Sequence, residues 1–307
     1  MPRLNSRFSK LFVLLACLLW LPTVFAQFRS DTRLVVLHAS VNDKKGKLLT
    51  NLDRNAFKIF ENGQPQAVKI FRREDVPVSL GIIIDDSGSM MNKRARVEAA
   101  AVAMVRASNP QDEVFIVNFN DEAYLDVPFT NDMHKMEQGL ARIDSRGGTA
   151  MRDAVSMSLD YTAKEAKKDK KVLLIITDGA DNASGISLEK VVQRANQSDT
   201  LIYAIGLFTE EEKREASKAR RALNELTTAT GGLAFYPKEV SDVQSLAVEV
   251  AHDIRNQYTI VYRPSQQKTE GGFRTVRVEA RAPGHGKLAV RTRTGYYAGQ
   301  ERASTGE

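Results

Sequence analysis

The chain has 307 residues, 42% hydrophobic and 27% charged, with a formal net charge of +6 and a single cysteine. That is an ordinary globular composition, long enough for one large domain or two smaller ones with a sizeable core. One cysteine excludes a disulfide framework, and the basic balance is poor support for nucleic-acid binding because part of it sits in a single N-terminal segment.

That segment is residues 1–26. "MPRLNSRFSK" carries three positive charges and no negative one, and "LFVLLACLLWLPTVFA" is apolar and then small, with Val24 and Ala26 placed as at a signal-peptidase site. It reads as a secretory signal peptide cleaved after Ala26. The run is too short to stay in a membrane and no second apolar segment follows, so no integral span is expected. The alternative, a lipoprotein box with Cys17 lipidated, meets an apolar run that continues past Cys17 through Leu21. Loss of Arg3, Arg7 and Lys10 lowers the formal charge from +6 to +3 and removes the sole Cys and Trp. The expected destination is the periplasm or the exterior, where a chain without cysteine must rely on packing or metal.

Residues 27–75 predict strands and turns. "LVVLHASV" places Val35, Leu37, Ala39 and Val41 at period two; "FKIF" is a short strand, "ENGQPQ" a hairpin turn centred on Asn62-Gly63, and "AVKIF" the returning strand. Residues 76–257 change rhythm. "VSLGIIID" is a near-continuous apolar run, as in a strand buried on both faces. Helix "KRARVEAAAVAMVRAS", strand "EVFIVNF", extended "AYLDV", helices "DMHKMEQGLARI" and "TAMRDAVSMSLDYTAKEA", strand "KVLLIIT", helix "SLEKVVQRA", strand "LIYAIGLF", helix "EKREASKARRALNELTTAT", short strand "LAFY" and helix "SDVQSLAVEVAHDIRNQ" follow. Strands alternating with helices imply a doubly wound, mostly parallel sheet covered on both faces. Residues 258–297 return to alternating strands in "YTIVYRP", "FRTVRVEAR" and "KLAVRTR", and 298–307 form a polar tail read as disordered. Neither terminal β segment can make a core alone. The predicted architecture is therefore an α/β domain inserted in one small β-sandwich built from both ends.

In such a sheet, ligands sit beyond the carboxyl ends of the parallel strands. There the chain offers Asp85, Ser87 and Ser89 in "GIIIDDSGSM", Thr149 in "SRGGTA" behind two glycines, and Asp178 in "TDGADN". The inventory is two carboxylates and three hydroxyls. Without nitrogen or sulfur, zinc and copper are poorly served, whereas a hard cation such as Mg²⁺, Mn²⁺ or Ca²⁺ wants oxygen. Hydroxyl ligands leave much of the charge on the metal, so an outside anionic oxygen, a partner's Asp or Glu, would complete the shell.

"DDSGS" as Asp-x-Ser-x-Ser, the distant "GGT" and the later "TDG" resemble the metal-ion-dependent adhesion site of von Willebrand factor A domains, in the same order and on corresponding elements. The resemblance implies that Ser87 and Ser89 bind metal directly and Thr149 directly or through water, while Asp85 and Asp178 act through water or by orienting the hydroxyls. The flanks "NLDRNAFKIFENGQPQAVKIFRREDVPVSLGIIID", "ATGGLAFYP", "IRNQYTIVYRP" and "RTRTGYYA" resemble exported, acidobacterial-type proteins related to that family. The implied function is a binding protein that engages a protein ligand through the metal. Two alternatives stand beside it: a metal-dependent phosphohydrolase with Asp85 as nucleophile, and a structural domain without metal. The first would use a second carboxylate two residues on, where this chain has Ser87. Asp86 and Asp181 are read as solvated loop residues or helix caps, the arginines of the last strands as an exposed face, and the four histidines carry no chemistry.

Overall fold

The computed structural model describes residues 34–73, 75–140, 146–208, 213–266 and 272–298; the segment 1–26, read above as a signal peptide, and the tail after Ala298 lie outside the described residues. The central sheet has β5 (Val78–Asp85) at its heart, between β8 (Lys170–Thr177) and β6 (Glu113–Phe119), both parallel to it. Beyond β8 lie β9 (Thr200–Gly206) and the two-residue β10 (Ala234–Phe235), also parallel, and β7 (Ala123–Thr130) closes the far edge antiparallel to β6. Every residue of β5 is buried, as its unbroken apolar run requires. Ile82 and Ile84 enter one core and Ile83 the other, one on each side of the sheet. Gly81 is needed at this crossing: a β-carbon there would lie 2.3 Å from the Phe115 ring and 2.6 Å from Leu173.

Among the described residues, three helices cover each face. α1 (Arg94–Ala107), α2 (Met133–Leu140) and α6 (Val243–Arg255) pack through Val97, Met104, Met136, Val243 and Val250 on one side. On the other lie α3 (Met151–Glu165), α4 (Leu188–Gln197) and α5 (Lys213–Thr230), through Met151, Leu159, Val191 and Leu226. This is the doubly wound architecture expected from the alternation of periods.

The terminal segments form two further four-stranded sheets. One runs β13 (Ala289–Arg291), β1 (Val35–Asn42), β11 (Tyr258–Tyr262), β4 (Val68–Arg72); the other β14 (Gly295–Ala298), β12 (Gly272–Ala280), β2 (Phe57–Glu61), β3 (Gln64–Gln66). Strands from the two ends of the chain interleave in both sheets. Leu37, Ile59, Ile260, Tyr262 and Val278 from both sheets fill one core, so neither end completes a hydrophobic interior by itself.

Two expectations need correction here. The turn at Asn62-Gly63 forms with both residues at positive φ, 48° and 79°, but the strand that returns is Gln64–Gln66; "VKIFR" crosses to the other sheet and pairs with β11. The alternation of "AVKIF" could not say which sheet it joins. The arginines also divide. Arg277 and Arg281 are exposed, whereas Arg274 reaches the buried Glu61 at 2.8 Å, Arg291 pairs with Asp253 on α6, and Arg293 pairs with Asp199 at 3.2 Å. The last two join the sandwich to the α/β layers. Among the described residues no helix is long and apolar enough to cross a membrane.

Candidate functional site at the strand tips

β5 and β8 run in register to their ends, with Ile84 level with Ile176. The next residues, Asp85 and Thr177, therefore meet. The Thr177 hydroxyl donates to Asp85 Oδ2 at 2.5 Å, and the Ser87 backbone N–H donates to Asp85 Oδ1 at 2.9 Å. Asp85 is 1% exposed. Burial pushes its carboxyl up to about 6; the bonds from Ser87 and Thr177 pull the other way and the nearby Asp178 carboxylate adds to the rise. Asp85 thus ends a buried strand as the bracket that fixes the start of the next loop.

After Asp85 the chain extends through Ser87 and makes one tight turn over Gly88–Met90, anchored by the buried Met90. This brings the Ser87 and Ser89 hydroxyl oxygens to 3.2 Å from each other. The Ser89 hydroxyl also lies 2.7 Å from Asp178 Oδ1, to which it donates. Asp178 follows β8 directly, and its side chain is fully buried.

The "GGT" loop is tied to both neighbours through its backbone. Gly88 N–H donates to Gly147 O at 3.3 Å and Arg146 N–H to Asp86 O at 2.9 Å. Gly148 N–H donates to Asp121 Oδ1 and Thr149 N–H to Asn182 Oδ1, each at 2.8 Å. Asn182 and Ala183 N–H return bonds to Thr149 O at 3.1 and 3.2 Å. Gly147 adopts φ 77°, and a β-carbon on it would lie 2.3 Å from Asp121 Oδ2; one on Gly148 would lie 2.8 Å from both Asn182 Oδ1 and Asp121 Oδ1. Both glycines are required for the loop to lie this close. Thr149 is buried, with its hydroxyl 3.4 Å from where a side chain on Gly179 would begin, beside the bend that carries Asp178.

Three loops thus gather the five expected residues at one end of the sheet. Ser87, Ser89 and Asp178 form a hydrogen-bonded row, Asp85 holds the row in place, and Thr149 is brought alongside by its backbone. The donor set is all oxygen and mainly hydroxyl. Among the described residues no three His, Cys, Asp or Glu side chains gather as a metal-binding group, so any cation held here would depend on the hydroxyls. That chemistry fits a hard divalent ion and fits zinc or copper poorly.

Other residues also shape this end of the sheet. Thr177 was overlooked inside "TDG", although strand register alone would have set it against Asp85. Lys93 lies four residues beyond Ser89, outside the motif, yet its ammonium pairs with Asp178 Oδ2. Asp121 and Asn182 hold the glycine loop. Of the two readings given for Asp181, solvated loop residue or helix cap, the second holds: it accepts the Arg152 N–H of the first turn of α3 at 2.7 Å and the Arg152 guanidinium at 2.9 Å. It is a helix cap supplied from another loop. Asp86 is buried.

Residues 80–180 match the family described as von Willebrand factor type A domain. An uncharacterized protein of Borreliella burgdorferi is 27% identical over 180 residues, covering 50% of this chain and 52% of that protein; the chain thus spans about half the length of this curated relative. Similar solved structures include the vWF domain of the type V pili tip protein Mfa5 from Porphyromonas gingivalis (13% identity, 59% of this chain and 95% of that one, TM-score 0.48). A von Willebrand factor type A protein from Catenulispora acidiphila is 14% identical over 88% of this chain and 75% of its own, with TM-score 0.49. Mussel byssus proximal thread matrix protein 1 with a zinc-occupied MIDAS motif is 14% identical, covering 64% and 50%, with TM-score 0.49. The family match begins within β5 and ends within the "TDG" loop, and so encloses all five strand-tip residues. The segment that matches the von Willebrand factor type A domain thus lies between the two halves of the β-sandwich.

Proposed function

We propose that this protein is an exported binding module that engages a protein partner through a divalent cation at the strand tips. The observation that carries the reading is the row of oxygens: Ser87 and Ser89 hydroxyls 3.2 Å apart, with Ser89 donating to Asp178. Ser89 gives its proton to Asp178 and so accepts from Ser87, and two hydroxyl oxygens side by side suit a hard cation. Ser87 and Ser89 would bind the ion directly and Thr149 directly or through water; Asp85 and Asp178 would orient the hydroxyls. Mg²⁺, Mn²⁺ or Ca²⁺ fits this set. When bound, such an ion supplies a positive position that accepts an anionic oxygen, and a partner's Asp or Glu carboxylate meets that need.

Binding is favoured over hydrolysis by the residue two positions beyond Asp85, Ser87, whose hydroxyl faces Ser89 where a hydrolase would need a carboxylate. Asp85 itself is buried against Thr177 and the Ser87 N–H, a poor posture for a nucleophile. Export rests on the charged, apolar and small-residue succession of residues 1–26; the mature chain would divide into 27–75, 76–257 and 258–297.

The test is affinity capture with the mature protein as bait, in Mg²⁺ and in EDTA, beside Ser87→Ala. A partner retained by the wild type in Mg²⁺ and lost in both other conditions is expected. Partners retained equally in EDTA and by Ser87→Ala would overturn the reading.

A further inference from the structure

Lys93 stands in an unusual place. It is fixed by the same turn that presents Ser89: its N–H donates to Met90 O at 2.8 Å, and its carbonyl accepts from Arg96 and Val97 at 3.1 Å each as α1 begins. The neighbouring Arg94 is drawn away to Glu98 at 2.8 Å, one turn along α1. Lys93 instead turns back, keeps only 15% of its side chain exposed, and places its ammonium on Oδ2 of the fully buried Asp178. The other oxygen of that carboxylate takes the Ser89 hydroxyl. One carboxylate thus serves both a tethered cation and the hydroxyl row.

We infer that Lys93 is a built-in competitor for the cation at this site, an intramolecular ammonium that shares Asp178 and must move away before a divalent ion can be held. The inference rests on the proposed cation site and adds a control to it. Two positive charges so close together in a buried setting repel strongly, because the protein interior screens them far less than water does. The four-carbon stem of lysine lets its head withdraw to solvent without moving the helix. While paired, Lys93 compensates a buried carboxylate that would otherwise be costly. Its effective concentration at Asp178 is fixed by the chain, so it raises the ion concentration needed to fill the site. The site would then load only where divalent ions are abundant.

The experiment is calorimetric titration of Mg²⁺ and of Mn²⁺ into the mature protein, Lys93→Met, Lys93→Gln and, as a control for net charge, Lys135→Met on exposed α2 surface. Removing a partly buried pair of this kind should tighten ion binding about tenfold in both Lys93 variants and not in the control. In EDTA the Lys93 variants should melt below the wild type, and added Mg²⁺ should raise their melting temperature by more than it raises that of the wild type. Ion binding by the Lys93 variants with none by the wild type would support the inference equally. Equal affinity in wild type, Lys93→Met and Lys93→Gln would overturn it while leaving the cation site intact. No binding of either ion by any of the proteins would overturn the cation site and this inference with it.

Discussion

Replacing Thr177 by Val tests whether Asp85 is a bracket held ionised at the strand tip. The two side chains have nearly the same shape, so packing is conserved and the hydroxyl alone is lost. That hydroxyl lies 2.5 Å from Asp85 Oδ2, and both residues are essentially inaccessible, with Thr177 0% and Asp85 1% exposed. Water cannot replace the lost donor. A buried charged acceptor stripped of one hydrogen bond costs about 2–3 kcal/mol, and Asp85 is left with Ser87 alone as its hydrogen-bonding neighbour. For a domain of this size that is a drop of about 4–12 °C in melting temperature. Calorimetric melting in EDTA at neutral pH measures it without any contribution from bound ions. Thr177→Ser, which restores the donor, should recover most of the loss, separating the hydrogen bond from the lost methyl. A Val variant that melts with the wild type, or a Ser variant that melts no higher than Val, would refute the bracket.

Other consequences can be checked alongside. Gly148→Ala should weaken ion binding with little loss of stability elsewhere, because its β-carbon would push on Asp121 and Asn182, which hold the Thr149 loop; unchanged affinity in calorimetric titration would count against the loop geometry. His38 is pushed down to about 3, first by burial and then by the charges of Lys170 and Arg293. The unfolded chain takes up a proton below about pH 6.5 that the native protein refuses, so this contribution to stability is complete above that pH and fades as pH falls toward 3, by about 1.4 kcal/mol per unit. Between pH 7 and 5 the His38→Gln protein should accordingly lose about 2 kcal/mol less than the wild type in urea melts, and identical slopes would refute the assignment. N-terminal sequencing of the exported protein should begin at Gln27, and because the sole Trp is at position 20, that protein should show tyrosine fluorescence only; tryptophan emission would place the cleavage wrongly.

Much of this architecture can be read directly from residue patterns. The unbroken "GIIID" run means a strand covered on both faces, and the 3.6-residue periods between such strands mean helices on each side; both hold because burial in a parallel sheet demands them. Asp85, Ser87, Ser89 and Asp178 were legible because they fall where parallel strands end, and Thr149 because it follows two glycines just before a helix. What the one-dimensional pattern hides is pairing across the sheet. Thr177 matters through its register with Asp85, Asp181 through a helix 29 residues upstream, and Lys93 through a side-chain turn that local sequence does not dictate. "AVKIF" was misplaced for the same reason: alternation reveals a strand but not its neighbour. The arginines of the last strands looked like a solvent face, yet Arg274, Arg291 and Arg293 meet acids contributed by distant segments.

The central claim is that Ser87, Ser89 and Thr149, oriented by Asp85 and Asp178, hold one divalent cation. The most direct measurement is anomalous diffraction from crystals of the mature protein grown with Mn²⁺. The account predicts a single strong peak at bonding distance from the Ser87 and Ser89 hydroxyls, with Lys93 withdrawn from Asp178. A peak at another place on the protein, or none beside the two serines at saturating Mn²⁺, would contradict it.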